Sequence, residues 1–361
     1  MVMKRDYSLL GPENAAAVSK GLANAQWYRC DIPRVQMKEL MQRRDGPAIR
    51  DTLIWLGAFV IFAAGGWYFW GSWACIPFFI GYGVLYGSSS DSRWHECGHG
   101  TAFKSLWLNN LVYQIACFMI MREPEIWRWS HTRHHTDTII VGRDPEIVAM
   151  RPPAIFKILL YFFGWPTAFI ALKKAAIHAT GRMLEDEKTF VPESEWPKVT
   201  RTARIWLVIH VAVIAAALAL RSWLPLMYVG VLPFMYGTWL SVVFGLTQHA
   251  GMAEDVLDHR LCARTVYMNP VFRFVYWNMN YHVEHHMFPM VPYHALPKLH
   301  EIMKADTPVP CASTIEAYVK EIIPALIRQQ RDPAFTIRRP LPSSAKPYAA
   351  TPAAGLAVPA E

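Results

Sequence analysis

The stretch Asn278-Met279-Asn280-Tyr281-His282-Val283-Glu284-His285-His286-Met287-Phe288-Pro289 decides how the chain is read. Its three histidines follow the pattern HxxHH. On a helix, positions i, i+3 and i+4 share one face, so the spacing aims three imidazoles at one place. A lone triplet is more often an exposed polar face than a site. This one has a copy, His131-Thr132-Arg133-His134-His135, and a shorter relative, His95-Glu96-Cys97-Gly98-His99. Eight of the 14 histidines sit in these three boxes, so the rest of the chain must explain how the boxes meet.

Composition points to a membrane. Hydrophobic residues make up 53% of the 361-residue chain and charged residues only 18%, below the usual quarter. Fifteen tryptophans suit interfacial aromatic belts. A formal charge of +8 fits anionic lipid or nucleic acid. No nucleic-acid motif accompanies it, and long apolar runs favour lipid. The six cysteines are scattered without a CxxC pair, which predicts free thiols in a reducing compartment. The first residues include Lys4 and Arg5 and have no apolar core of a signal peptide.

Residues 1–51 read as a polar, basic cytoplasmic segment of modest helices. Residues 52–70 carry no charge and, as a helix, cover about 28 Å, enough to cross the hydrocarbon core. The uncharged run from 73 to 90 follows after two residues and leads into the first box. Residues 205–220 and 224–248 form a second hairpin ending at His249. The predicted fold is an all-α integral membrane protein with four transmembrane helices at 52–71, 73–92, 204–220 and 223–248. A cytoplasmic helical cap would hold a di-metal site, and residues 52–330 would form the membrane domain. The apolar pieces 106–121 and 155–172 are interrupted, and are expected to be re-entrant or interfacial. The Pro- and Ala-rich tail 331–361 is expected to be disordered. Nine Lys and Arg precede residue 52, whereas the outer turns share only Arg221. That asymmetry puts both termini and all boxes in the cytoplasm.

His249, in Gln248-His249, adds a ninth imidazole at the end of the fourth run. Nine are too many for one ion, since zinc usually takes four ligands in all. They suit two ions with four or five nitrogens each. Imidazole serves Zn, Cu, Fe and Ni, and no cysteine pattern accompanies it. A dinuclear site beside a membrane with no hydrolytic set suggests redox chemistry on an apolar substrate, where two irons could use O2 to break a C–H bond. Glu96, Asp137, Asp144, Glu254, Asp255 and Glu284 are acids able to orient ligand imidazoles. Asp144 stands out in Gly-Arg-Asp-Pro-Glu, just past the second box.

The HxxxH box, the HxxHH box about 30 residues on and the last HxxHH box after a second hairpin resemble the membrane fatty acid desaturase and hydroxylase family, in its bacterial branch. Asp144-Pro145 and Gln248-His249 add to the likeness, which covers roughly residues 50–300. The resemblance implies a di-iron, O2-dependent oxidoreductase. It implies His95, His99, His131, His134, His135, His249, His282, His285 and His286 as ligands to two iron ions. Asp144, Glu254, Asn278 and Asn280 are expected around them, with Asn278 or Asn280 holding a water or a ligand. The activity it implies is desaturation or hydroxylation of a fatty acyl lipid in a bacterial inner membrane. The alternative is hydroxylation or demethylation of a small non-lipid substrate, as in the rhizopine-type oxygenases. No HPGG haem motif or CxxC pair is present, so a separate ferredoxin, Rieske-type protein or rubredoxin, with its reductase, is the expected electron donor. Arg122, Arg128, Arg133 and Arg143 around the second box form the expected docking surface for it.

His95-Glu96-Cys97-Gly98-His99 is also literally HExxH, the motif of zinc proteases, including intramembrane ones. That reading uses one box and leaves seven imidazoles idle. A metal carrier would place its ligands within the spans, where only His210 lies. His178, His259, His294 and His300 fall outside the boxes and are expected to be surface or structural residues, with alanine tolerated at His259 and His300.

Overall fold

A computed structural model describes residues 5–349. The described residues are helical, with no strand beyond two isolated bridges, Thr265 to Tyr281 and Val266 to Cys311. The first long helix, Asp45–Tyr68, starts seven residues before the expected span. Its first-turn acid, Asp45, accepts from the Ser105 backbone N–H at 2.9 Å and its hydroxyl at 2.7 Å. Leu53, Val60, Ile61 and Trp67 stand exposed along it. The helix Trp196–Ala219 likewise exposes Val208, Val211 and Leu218. An outward apolar belt of this kind is what a bilayer solvates. These two helices are long and apolar enough to cross a membrane, and a third crossing is added if the pair Ile155–Tyr161 and Trp165–Ala179, bent by 77°, is one broken span. The sequence-based expectation for 155–172 was an interfacial segment, and the bend at Gly164 is the physical reason the run is interrupted.

The other two expected spans are not single apolar helices. After Gly71, whose positive φ makes the turn, a 3-10 turn leads into the helix Ile76–Gly83. A π segment, Val84–Ser89, then joins it to the first-box helix Ser90–Gly98. The fourth run is broken into Leu224–Tyr228, Val231–Gly237 and Trp239–His249. Gly230, at φ +88°, makes the first break, and Pro233 lies just inside the next piece. Ser88 patches the second break: its hydroxyl donates to the Gly237 carbonyl at 2.5 Å and accepts from Ser241 N–H at 2.9 Å. The two runs meet backbone to backbone, because a Cβ on Gly237 would lie 1.9 Å from the Gly83 carbonyl oxygen. Small residues permit such an approach between apolar helices.

The helix Leu106–Met119 packs its Val112, Tyr113, Ala116 and Cys117 inward and leaves Leu106, Trp107 and Leu111 outside. The N-terminal segment closes over the loops beyond the boxes. Arg5 pairs with Glu254 at 2.7 Å, and Trp27 donates to the Thr136 carbonyl at 3.0 Å and stacks on His259. Part of the tail expected to be disordered is laid down over the molecule. Ile337 N–H donates to the Gly251 carbonyl at 2.9 Å, Arg339 pairs with Glu321 at 3.0 Å, and Arg260 donates to the carbonyls of Lys346 and Pro347. Residues 350–361 lie outside the described residues.

Candidate metal centre

Four short pieces bring the histidines together. His95 and His99 lie one turn apart at the end of the first-box helix. His131, His134 and His135 occupy the last turns of Pro124–Thr136. His249 ends the helix Trp239–His249, and His282, His285 and His286 share the six-residue helix His282–Met287. One ring nitrogen each from His95, His99, His131, His135 and His285 falls within 4.8 Å of the others. His134, His249 and His286 form a second such group. His282 joins that group, with Nε2 at 2.9 Å from His249 Nε2 and 3.0 Å from His286 Nε2. Within the first group, His135 Nε2 lies 3.1 Å from both His131 Nε2 and His285 Nε2.

The outer bonds fix which nitrogen faces inward. His249 Nδ1 lies 2.7 Å from the Cys262 carbonyl, which can only accept, so Nδ1 carries the proton and Nε2 presents a lone pair. Asp144 takes His134 Nδ1 at 2.8 Å and is itself held by the backbone N–H groups of Ile139 and Glu146. Glu146 faces His131 Nδ1 at 3.1 Å and accepts from Ser130 at 2.8 Å. Thr138 lies 3.2 Å from His286 Nδ1. Carboxylates and carbonyls on the far nitrogen are the usual outer partners of metal-bound imidazole. Glu96 is buried and lies 3.6 Å from Nδ1 of both His95 and His285, and it accepts from Tyr293 N–H at 3.1 Å and from Thr101.

Burial keeps most of these rings neutral. It pushes His95, His131, His135, His282, His285 and His286 well below the ordinary imidazole value, and neighbouring imidazoles add to the effect. Burial lowers His99 to about 4 and His249 to about 3. His134 is the exception: burial opposes its charge, but the Asp144 carboxylate outweighs that and raises it. Burial likewise raises the Glu96 carboxyl to about 8, against its bonds from Tyr293 and Thr101. The buried Nε2 atoms of His95 and His99 have no hydrogen-bond partner. Neutral nitrogens, crowded with lone pairs facing one another and lacking protein donors, fit a metal held by imidazole.

The other sequence expectations divide. Asp144 is placed against a box histidine, whereas Glu254 is not: it is taken by Arg5, Tyr7 and Arg151. Asp137 and Asp255 are spent on Arg143 and Arg5, and Glu284 on His300 and Thr265. Asn278 uses both side-chain atoms, on Arg273 and the Tyr293 carbonyl. Asn280 donates to the Val266 carbonyl at 2.8 Å and leaves a buried Oδ1 without a partner. Glu146 was missed, although the Asp144-Pro145-Glu146 turn that carries it was legible. Three histidines outside the boxes are buried, not on the surface: His178 between Glu123 and Glu187, His259 against Trp27, and His300 between Glu284 and Tyr267. His210 bonds back to the Trp206 carbonyl of its own helix at 2.7 Å. Each arginine expected to form a docking surface has an intramolecular partner, and Arg128 remains exposed. Arg122 pairs with Asp91 at 2.9 Å and Arg143 with Asp137 at 3.1 Å, Arg133 donates to the Thr189 carbonyl, and Arg128 lies over Tyr113.

An all-helical, membrane-type fold with a buried, imidazole-lined centre defines the class. The model of the fatty acid desaturase family matches residues 71–316, and the chain belongs to that family. It is 24% identical over 225 residues to an sn-1 acyl-lipid omega-3 desaturase (ferredoxin) of Nostoc sp., covering 58% of this chain and 62% of that protein. It is 24% identical over 220 residues to an acyl-lipid omega-3 desaturase (cytochrome b5) of the endoplasmic reticulum of Arabidopsis thaliana, 56% of each chain. Over 111 residues it is 30% identical to an sn-1 oleoyl-lipid 12-desaturase of Synechocystis sp., 30% of each chain. The chain thus spans about three fifths of the length of the first two relatives.

Proposed function

We propose that this chain is an O2-dependent di-iron lipid desaturase of a bacterial inner membrane. The observation that carries the reading is the convergence of nine imidazoles from three boxes and His249. His95, His99, His131, His135 and His285 would hold one iron and His134, His249, His282 and His286 the other. The irons would supply the oxidising power needed to break an unactivated C–H bond. The chain's own part is to fix the ligand nitrogens through Asp144, Glu146 and the Cys262 carbonyl, and to bury the centre away from water. The buried Oδ1 of Asn280 has no protein partner and would accept from a water.

The reading includes four membrane crossings in two hairpins, with boxes and termini on the cytoplasmic side. The broken runs at 76–98 and 224–249 would complete the two hairpins. Forming one double bond removes two hydrogens and, with O2, two protons and two electrons, yields two waters. The electrons need a donor. The relatives' names specify ferredoxin in one case and cytochrome b5 in the other, which supports a separate redox protein here. Lipid-acting relatives support an acyl substrate over a small methylated one.

Expression in a bacterial host with a ferredoxin and its reductase, followed by acyl-chain analysis of total lipid, tests the reading. New double bonds are expected with the intact chain and none with His285→Ala. Unchanged acyl unsaturation from iron-loaded, donor-supplied protein would refute it.

A further inference from the structure

At the foot of the first spanning helix the N-terminal segment forms a groove of about 420 Å³. Arg29, Arg34 and Lys38 line it together with Ile32, Met37 and Phe288. The three cations are exposed, and none makes an ion pair among the described residues. The nearby acids that could neutralise them are taken by lysines from elsewhere: Asp31 by Lys346, and Glu39 by Lys298 at 2.6 Å. The groove is therefore cationic at its edge and apolar on its floor.

Its place in the fold gives it a membrane neighbour. The helix Arg34–Leu40 leads into Asp45–Tyr68, and Arg34–Tyr68 forms one 35-residue unit whose apolar part is the first span. Val35 and Met41 are exposed apolar side chains on and just past the groove's helix, and Ile49 and Leu53 continue the exposed apolar face into the span. The floor is backed by the third box. Phe288 follows two residues after His286, and Cys30 N–H meets Met287 Sδ at 3.1 Å.

We propose that this groove binds the headgroup of an anionic phospholipid. Arg29, Arg34 and Lys38 would take the phosphate oxygens, and Ile32, Met37 and Phe288 the glycerol and first methylenes. Cations beside apolar side chains at the base of a span match an amphiphile with an anionic head, and each juxtamembrane Lys or Arg adds to the attraction of an anionic leaflet. The groove is concave and small, which suits a headgroup better than the face of a protein. That the bound lipid is a substrate rests on the desaturase reading, but that it is bound does not.

The test is native mass spectrometry of the full chain released from micelles containing equal phosphatidylglycerol and phosphatidylcholine. The wild type should retain phosphatidylglycerol preferentially. The triple variant R29Q/R34Q/K38Q should retain at least about tenfold less. A control, K320Q/R328Q/R331Q, should match the wild type. If the triple variant does not fold, the single changes Arg34→Gln and Lys38→Gln at exposed positions should each give a partial loss. Equal retention in wild type and groove variants would overturn the proposal, as would an equal loss in the control. It would also be overturned if the wild type retained no phospholipid and the triple change instead abolished salt-sensitive binding of an acidic redox protein. Lipid binding in a protein without desaturase activity would leave it standing, so the two readings fail separately.

Discussion

Glu284, in the middle of the third box, is joined to Nδ1 of His300 in a buried bond. His300 passes the contact on through Nε2 to the Tyr267 hydroxyl at 2.9 Å, and Glu284 also accepts from Thr265. The short helix bearing three imidazoles is thereby tied to the helix Leu296–Met303 behind it.

His300→Ala should therefore be damaging, contrary to what its sequence context suggests. It strands a buried carboxylate, at a cost of about 1–3 kcal/mol. The double change E284Q/H300A should recover part of that loss, because no charge is left unpaired. Thermal melts of the detergent-purified proteins check both. A His300→Ala melt equal to wild type would show that the contact holds nothing in place.

Asp144 and Glu146 bond to box imidazoles from one turn. Removing either outer partner should weaken metal binding by about 10- to 100-fold. Chelator competition on Asp144→Ala and Glu146→Ala measures this. Glu254→Ala, which touches no box histidine, should leave metal affinity unchanged while lowering stability.

His178 lies beyond the apolar run 155–172 and is clasped between Glu123 at 2.6 Å and Glu187 at 2.7 Å. Burial disfavours its charge, but the two carboxylate bonds prevail and raise its pKa to about 9. The clasp thus stabilises the fold fully below about pH 6.5, the ordinary imidazole value. Its contribution should be lost as pH rises through about 9. Wild-type melting temperature should fall across that window relative to His178→Gln. Parallel pH profiles would rule out a charged His178.

Gly237 is fixed by close approach. A methyl there would meet the Gly83 carbonyl oxygen at 1.9 Å, against backbone that cannot swing away. Gly237→Ala should cost about 1–3 kcal/mol or more and lower the folded yield. Gly57, with nothing within 4 Å of a built methyl, is the matched control. Size-exclusion profiles of the two variants should differ sharply.

The sequence was most informative where periodicity and chemistry agreed. The i, i+3, i+4 spacing of the boxes is local, and each box lies at the end of an apolar or amphipathic piece, so their meeting was legible. The apolar parts of the helices Asp45–Tyr68 and Trp196–Ala219 followed from uncharged length, whereas their charged first turns did not. The break at Gly230 was not legible, because the hydropathy of 224–248 is continuous while its backbone is not. His178 and His300 were expected to be surface or structural, and which acids they meet could not be read from the sequence. Only the fold shows that Glu123 and Glu187 flank one ring, or that Tyr267 reaches the other. For the tail, Pro and Ala predict disorder, and its bonds to Arg260, Glu321 and Gly251 within 331–349 could not be read from composition.

The most direct test of the central claim is the metal content of the purified full chain, measured as iron and zinc per polypeptide after iron-replete expression. Two irons per chain are predicted, with loss of iron in His285→Ala and in His249→Ala. One zinc per chain with no iron, at full activity, would contradict a di-iron centre and return the HExxH box to consideration.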